Sequence, residues 1–250
     1  MFEFNTGYLP FERDIEKIGA YQYTDGSRLS ARVANARYTE MILSCADFKG
    51  KSVVDVGSGD GTYTAELARF SGAASILGVE PSLKASERAR STYHGSFSHL
   101  IFLCGNTETL LQRAERFDIA VYRGVVHHVI DPRMEIQRGI ALARSLIILE
   151  PNGLNPFMKL AEKLSSYHRQ HGERSFTPYT LSRWIREGDG KVEKIRFFGL
   201  VPYFCPDLIV RIGRRLEPLA ESIPWIRALY SGQYIIVASQ GRNRANPAHQ

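Results

Sequence analysis

The sequence predicts an α/β fold in which a doubly wound, mainly parallel sheet carries helices on both faces. From residue 51 onward, short continuous apolar runs alternate with helix-length amphipathic segments. Continuous apolar runs of this length are typical of parallel strands that are buried on both faces. The chain has 250 residues, of which 44% are hydrophobic and 23% are charged, so it supplies one sizeable core and is neither disordered nor collagen-like.

Five predicted strands and four predicted helices alternate along the first part of the chain. This order predicts right-handed crossovers between parallel strands and a ligand crevice at the carboxyl ends of those strands. The predicted strands are 52–56, 75–80, 100–104, 117–122 and 145–150, and the predicted helices are 62–71, 83–93, 107–115 and 133–144.

The alternation changes after the fifth strand. A helical stretch is predicted over 157–170, and Thr177 before Pro178 is typical of an N-cap followed by proline in the first turn, which predicts a helix to residue 187. Because the last strand returns only after an interruption of about 30 residues, we expect it to be antiparallel. The two strands of this half, which bring the sheet to seven, are predicted at 192–198 and 233–239.

The whole chain, 1–250, is expected to form a single domain. Residues 14–48 are expected to form mostly helical cover with Tyr21 and Tyr23 in it, and the polar end of the chain is expected to fray. The predicted parts are an N-terminal helical cover over 1–50, a cofactor-binding core over 51–155, a substrate-side half over 156–240 with a helical lid insertion at 203–230, and a flexible tail over 241–250.

Composition and cysteine content exclude several classes of protein. No stretch approaches the roughly 18 consecutive apolar residues that a membrane-spanning helix requires. Residues 1–14 lack a basic leader followed by a long apolar run, so we expect a cytoplasmic location. The three cysteines lie far apart without a Cys-x-x-Cys pair, and the histidines lack ligand spacing, so neither a disulfide framework nor a metal site is expected.

The net charge of +6 indicates an anionic partner or simple solubility. Residues 191–250 hold nine basic and four acidic side chains. Within the predicted lid, an apolar stripe at helical spacing runs beside three arginines. One interpretation is a contact with an anionic membrane surface, with Trp225 as an interfacial aromatic. The alternative is a helix that packs on its own domain, with Pro218 limiting its length. The stripe consists of Leu208, Ile209, Ile212, Leu216 and Leu219, and the arginines are Arg211, Arg214 and Arg215.

A glycine-rich loop follows the first predicted strand, where Val53 to Gly61 reads VVDVGSGDG. Glycine at alternate positions permits a tight turn and lets a ligand approach the backbone, while the next helix offers free N–H groups. Glu80 ends the second strand nineteen residues after Gly61, where a carboxylate can accept hydrogen bonds from ribose hydroxyls. A dinucleotide fingerprint is disfavoured, because Thr62 stands where that pattern needs glycine or alanine.

This loop resembles the first motif of the class I S-adenosylmethionine-dependent methyltransferases, a hydrophobic pair and an acid followed by Gly-x-Gly-x-Gly. The resemblance covers about residues 35–155 and implies S-adenosyl-L-methionine as cofactor and a Rossmann-like, seven-stranded sheet with the last strand antiparallel. Residues 149–153 depart from it, since they replace the commoner Pro-Gly-Gly turn of the family. The remaining landmarks are Glu80-Pro81, Gly105-Asn106, Phe117-Asp118, Val126-His127-His128-Val129 and Asp131.

The resemblance also implies roles for single residues. Asp55 would help to hold the amino group of the cofactor, Glu80 would bind the ribose, and the glycines would approach the methionine part. Asn106 stands where the family usually has aspartate, so its neutral amide oxygen would accept a hydrogen bond from the adenine amine. Arg123 would cover the adenine or bind an anionic substrate. The full set of candidate cofactor residues is Asp55, Gly57, Ser58, Gly59, Gly61, Glu80, Pro81, Asn106, Thr107 and Arg123.

The expected reaction is methyl transfer to a small-molecule or lipid- or glycan-linked acceptor at oxygen. A hydroxyl acceptor must lose its proton, and a histidine suits that task at neutral pH. His128 is predicted ahead of His127 as this base, with capping or cofactor-lining roles as the alternative. Two other functions stay open.

One alternative is an RNA methyltransferase. Nucleic acid is not expected as a partner, because residues 155–157, Asn-Pro-Phe, lack the second proline of the amino-methylating motif. The other alternative is a cofactor-binding regulatory or scaffold protein without transfer activity. The sequence leaves the oligomeric state open.

Overall fold

A single seven-stranded sheet forms the centre of the structure, a computed structural model that describes Thr24 and residues 26–164, 174–201 and 205–241. Its strand order is β3-β2-β1-β4-β5-β7-β6. The strands are β1 (Ser52–Val56), β2 (Ser75–Glu80), β3 (Leu100–Cys104), β4 (Phe117–Arg123), β5 (Ala143–Pro151), β6 (Gly190–Phe198) and β7 (Gln233–Gln240).

Strand directions confirm the predicted doubly wound sheet. β1 to β5 pair in parallel, and β7 runs antiparallel between β5 and β6. The chain order reverses between β1 and β4, which are neighbours in the sheet. At such a point the connections that follow the two neighbouring strands lead to opposite sides of the sheet, so a crevice opens at the carboxyl ends of β1 and β4.

Nine described helices cover the sheet. Thr177 accepts a hydrogen bond from the Thr180 amide and Pro178 opens the helix, which confirms the predicted N-cap. The helices predicted over 107–115 and 133–144 end earlier than predicted, at Gln112 and Leu142. After Leu142 the backbone becomes extended, because Ala143 pairs with Phe117 in the sheet. The helices are α1 (Leu29–Leu43), α2 (Thr62–Phe70), α3 (Leu83–Tyr93), α4 (Thr107–Gln112), α5 (Pro132–Leu142), α6 (Pro156–Leu164), α7 (Pro178–Glu187), α8 (Asp207–Glu221) and α9 (Pro224–Tyr230).

Each face of the sheet has its own apolar core. On one face, α5 and α7 pack over β4, β5 and β7, around the fully buried Tyr122 and Tyr234. On the other face, α1 and α2 pack over β1 and β5, around Met41 and Leu67. Burial on both faces is the physical reason that the strands read as continuous apolar runs in the sequence.

The apolar stripe of α8 faces outward. Val210, Gly213 and Glu217 are its buried residues, so the helix packs on the domain through the opposite face. The prediction that Pro218 limits the helix was wrong, because α8 continues to Glu221 through an exposed turn where water can satisfy the carbonyl that proline leaves unpaired. The outward stripe is Leu208, Ile209, Ile212, Leu216 and Leu219, each 49–68% exposed.

Some predictions fall outside the described residues. They concern Tyr21 and Tyr23, the end of the helix predicted over 157–170, residues 203 and 204 of the lid, the side chain of Trp225 and the tail beyond Gly241. Among the residues that are described, no helix has the length and apolarity needed to cross a bilayer. The same residues contain no cluster of His, Cys, Asp or Glu able to hold a metal ion.

Candidate functional site

The glycine loop between β1 and α2 is built on left-handed backbone. The φ angles of Gly57, Gly59 and Gly61 are 72°, 56° and 82°, a region that favours glycine. A Cβ on Gly57 would lie 2.6 Å from Val125 Cγ2, and a Cβ on Gly61 would lie 2.8 Å from Ala89 Cβ. The first and third glycines are therefore already required by packing within the fold.

Glu80 closes this loop from the end of β2. Its Oε2 accepts the Gly59 amide at 3.0 Å, and its Oε1 accepts the Ser82 amide at 3.0 Å. Burial, with contributions from Asp55 and Asp60, raises the pKa of Glu80 to about 7. The carboxylate thus lies at the crevice, bound to the loop, with acceptor capacity left on both oxygens.

Asp55 and Asp60 add two more buried carboxylates beside Glu80. Asp55 accepts the Thr64 hydroxyl at 2.6 Å, and burial raises its pKa to about 6. Asp60 is 6% exposed and accepts the Thr62 amide at 3.1 Å. Asp60 was not among the predicted site residues, although it lies inside the glycine motif. Three buried carboxylates favour a cationic ligand, which fits the ammonium and sulfonium groups of S-adenosylmethionine.

The other candidate cofactor residues differ in their exposure to solvent and in their hydrogen-bond partners. Ser58 is 9% exposed, and its hydroxyl has no hydrogen-bond partner within the described part of the chain. Asn106 is exposed, and its Oδ1 accepts the Thr109 amide at 2.9 Å, so it caps α4. Thr107 is buried and donates to Glu135 in the interior. Pro81 is exposed between β2 and α3.

Arg123, at the end of β4, binds protein groups. Its hydrogen bonds go to Asn35 and Thr39 of α1, and its guanidinium carbon lies 3.5 Å from the centre of the Tyr63 ring. The side chain thus joins three elements on one side of the crevice: β4, α1 and α2.

His127 forms a buried pair with a carboxylate. Its Nδ1 lies 2.6 Å from Glu150 Oε2, and these side chains are 8% and 0% exposed. A proton on Nδ1 suits this contact because a carboxylate oxygen accepts, and a neutral ring with its proton on Nδ1 has its lone pair on Nε2. Glu150 Oε1 also accepts the Val126 amide at 2.8 Å, which fixes the loop that carries the histidine.

The two histidines of the sequence pair have different surroundings. Their ring centres lie 3.8 Å apart, and the carboxylate contact belongs to His127. His128 was predicted ahead of His127, and Glu150 was not predicted, although it lies near the end of β5, the strand that pairs with β4. The loop carrying His127 contacts the glycine loop, because Val125 packs directly on Gly57.

The loop after β5 has a structural role. The Asn155 amide group donates to the carbonyls of Tyr230 and Ser231, and its oxygen accepts the Phe157 amide at 2.9 Å. Asn152 donates to the Ser231 carbonyl as well, at 2.9 Å. These bonds hold the end of α9 on the loop, so the Asn-Pro-Phe sequence is committed to the backbone instead of to a target base.

The sequence of this chain is similar to a methyltransferase family model and to several O-methyltransferases. A family model described as a methyltransferase domain matches residues 53–153. Similar proteins include ubiquinone biosynthesis O-methyltransferases of Bradyrhizobium diazoefficiens, 37% identical over 42% of this chain and 38% of the relative, and of Nitrobacter winogradskyi, 34% identical over 61% and 52%. The match to the enzyme of this name from Coxiella burnetii is 26% identical and covers 63% of this chain and 68% of the relative. The matches thus span 38–68% of the length of these relatives.

Solved structures show the same fold at low identity. Magnesium protoporphyrin IX methyltransferase from Synechocystis PCC 6803 with bound S-adenosylmethionine has a TM-score of 0.62 at 13% identity, over 96% of this chain and 100% of that chain. A S-adenosylmethionine-dependent methyltransferase from Archaeoglobus fulgidus has a TM-score of 0.57 at 18% identity, over 93% and 99%. The family match itself covers the glycine loop, the buried carboxylates and the histidine pair.

Proposed function

We propose that this chain is a class I S-adenosylmethionine-dependent methyltransferase and that it methylates a hydroxyl oxygen of a small, lipid-linked acceptor. The observation that carries the choice of oxygen is the buried His127–Glu150 pair at the carboxyl edge of the sheet. The names of the relatives, which specify O-methylation in ubiquinone biosynthesis, support the same acceptor atom.

The chemistry of the site follows from what the acceptor requires. When bound, S-adenosylmethionine supplies an electrophilic methyl group on a sulfonium. A hydroxyl acceptor must lose its proton as it attacks, and Nε2 of His127 accepts that proton. Glu150 accepts from Nδ1 and so favours the tautomer whose lone pair is on Nε2, and its charge stabilises the imidazolium that forms. An acceptor that is already a carboxylate or a neutral amine would not need this pair.

The reaction is tested by transfer of a radiolabelled methyl group from S-adenosylmethionine to lipid extract, hydroxyl compounds, amines and RNA. We expect label in an extractable lipid or phenol, on a product that resists the mild base that cleaves methyl esters. Label in RNA or on an amine would contradict the proposal. Tight cofactor binding with no transfer to any acceptor would favour a binding-only role.

We further propose that α8 lies on an anionic phospholipid surface and brings the lipid-linked acceptor to the crevice. Its apolar stripe points away from the domain, and Glu217 and Glu221 point inward, where they accept the amides of Leu200 and Gly199. Exposed arginines flank the stripe and match the charge of acidic headgroups. On α6, Phe157 and Leu160 are 75% and 54% exposed, and α9 packs between α6 and α8. The flanking residues are Arg211, Arg214 and Arg215.

Vesicle co-sedimentation tests the membrane contact. We expect binding to vesicles of phosphatidylcholine and phosphatidylglycerol at low salt and weaker binding at high salt. Changing the three flanking arginines to Gln should weaken binding by about a hundredfold, at roughly 1 kcal/mol for each charge. The matched control changes three exposed arginines elsewhere to Gln. No binding at low salt, or equal loss in the control, would contradict the contact. The control residues are Arg88, Arg113 and Arg144.

A further inference from the structure

We propose that Arg123 is a positioning residue that fastens α1 beside the cofactor crevice and balances the buried charge of Asp55, so that the site can hold a cationic cofactor. This inference rests on the proposed use of S-adenosylmethionine and assigns Arg123 a role other than contact with adenine or an anionic substrate. It follows from the contacts of one guanidinium with two helices, α1 and α2, and from the effect of its charge on the Asp55 carboxylate.

The hydrogen bonds of Arg123 end on α1. Nη1 donates to the Thr39 hydroxyl at 2.8 Å, and Nη2 donates to the Asn35 carbonyl at 3.1 Å and to its Oδ1 at 3.0 Å. Asn35 and Thr39 are four residues apart, so they lie on one face of the helix. The planar, multiply donating guanidinium is thereby held in a fixed orientation.

The flat side of the guanidinium rests on α2. Its carbon lies 3.5 Å from the ring centre of Tyr63, a cation–π contact, and 5.6 Å from that of Tyr38 on α1. Thr39 also donates to Glu66 of α2. Because α2 begins at the glycine loop, Arg123 ties the position of α1 to the helix that follows the cofactor loop.

The charge of Arg123 acts on Asp55. Burial raises the pKa of Asp55 to about 6, while Arg123 and the Thr64 hydroxyl lower it. The charged groups near this position are Asp55 on β1, Asp60 in the glycine loop, Glu66 on α2, Glu80 on β2 and Arg123 on β4. Arg123 is the cation among these five described groups. Without it, Asp55 would hold its proton to higher pH and would bind an ammonium group less well.

A pH profile separates this role from a purely structural one. The carboxyl pKa values of Asp55 and Glu80 are raised, so cofactor affinity should rise as pH increases from 5.5 to 8.5 in the unmodified protein. In Arg123→Met the rise should move to higher pH, with affinity roughly three- to tenfold below that of the parent protein near pH 6 and a smaller difference at pH 8.5. Arg123→Lys keeps the charge, so its profile should keep the parent midpoint.

The experiment is calorimetric titration with S-adenosylhomocysteine across that pH range, with thermal melting to confirm folding and amide exchange to follow α1. Faster exchange in α1 is expected in both variants, because lysine cannot reproduce the three bonds. In an Asp55→Asn background, Arg123→Met should no longer move the midpoint.

Superimposable pH profiles for the Met and Lys variants would overturn the inference, as would an unchanged profile in Arg123→Met. Failure of the unmodified protein to bind S-adenosylhomocysteine at any pH would instead contradict the proposed function. The two failures are therefore distinguishable.

Discussion

Replacing His127 with alanine is expected to lower methyl transfer by roughly 10²–10⁴-fold, the usual contribution of a positioned general base. The reason is that an acceptor hydroxyl would then have no group to take its proton, while the glycine loop and Glu80 would remain intact. Affinity for S-adenosylhomocysteine, measured by calorimetry, should stay nearly unchanged. Turnover is measured with a labelled methyl group and the acceptor found in the transfer screen.

The matched control for this prediction is His128→Ala, which removes the neighbouring ring 3.8 Å away and leaves the pair with Glu150 in place. Its turnover should fall much less. Added imidazole should restore part of the activity of His127→Ala, because a free base can enter the space that the side chain vacates. If His128→Ala shows the larger loss, or if His127→Ala mainly weakens cofactor binding, His127 lines the pocket and does not act as base.

Changing Gly59 to valine is expected to weaken binding of S-adenosylmethionine by at least about a hundredfold, since a β-branched residue at a φ of 56° is strained and its side chain would occupy the space of the cofactor. The Gly59 amide also donates to Glu80, so a shift of this loop would displace the carboxylate expected to bind the ribose. Calorimetry with the cofactor and its demethylated product measures the change.

The control for backbone strain is Gly95→Val. Gly95 has a φ of 69°, and an added Cβ would have no heavy atom within 4 Å. This variant should lose stability by an amount similar to that lost by Gly59→Val while keeping its cofactor affinity. Full cofactor affinity in a folded Gly59→Val protein would show that the cofactor does not lie against this loop. Tighter binding of a nicotinamide dinucleotide would contradict the assigned cofactor.

The sequence determined the order and character of the sheet, because strands buried on both faces need unbroken apolar runs. Strands 52–56, 75–80 and 100–104 were predicted with the bounds that the structure shows. The position of Glu80 beside the glycine loop was also predictable, since parallel strands end at the same edge. Helix ends were less predictable: α5 stops at Leu142 because Ala143 joins the sheet, a long-range pairing with Phe117.

Only the tertiary structure decided which polar groups meet. His127 and His128 are adjacent in the loop after β4, and the proposal of His127 as base depends on Glu150, 23 positions away on β5. Arg123 donates to Asn35, which lies 88 positions away in the sequence. No local sequence pattern predicts a contact between residues so far apart. The apolar stripe of α8 was visible in the sequence, but whether it faced the core or the solvent depended on which side of the helix packs on the domain. The spacing of apolar residues in the sequence shows that this helix has an apolar and a polar face. Which face is buried depends on the tertiary packing, in which Val210 and Glu217 lie against the protein.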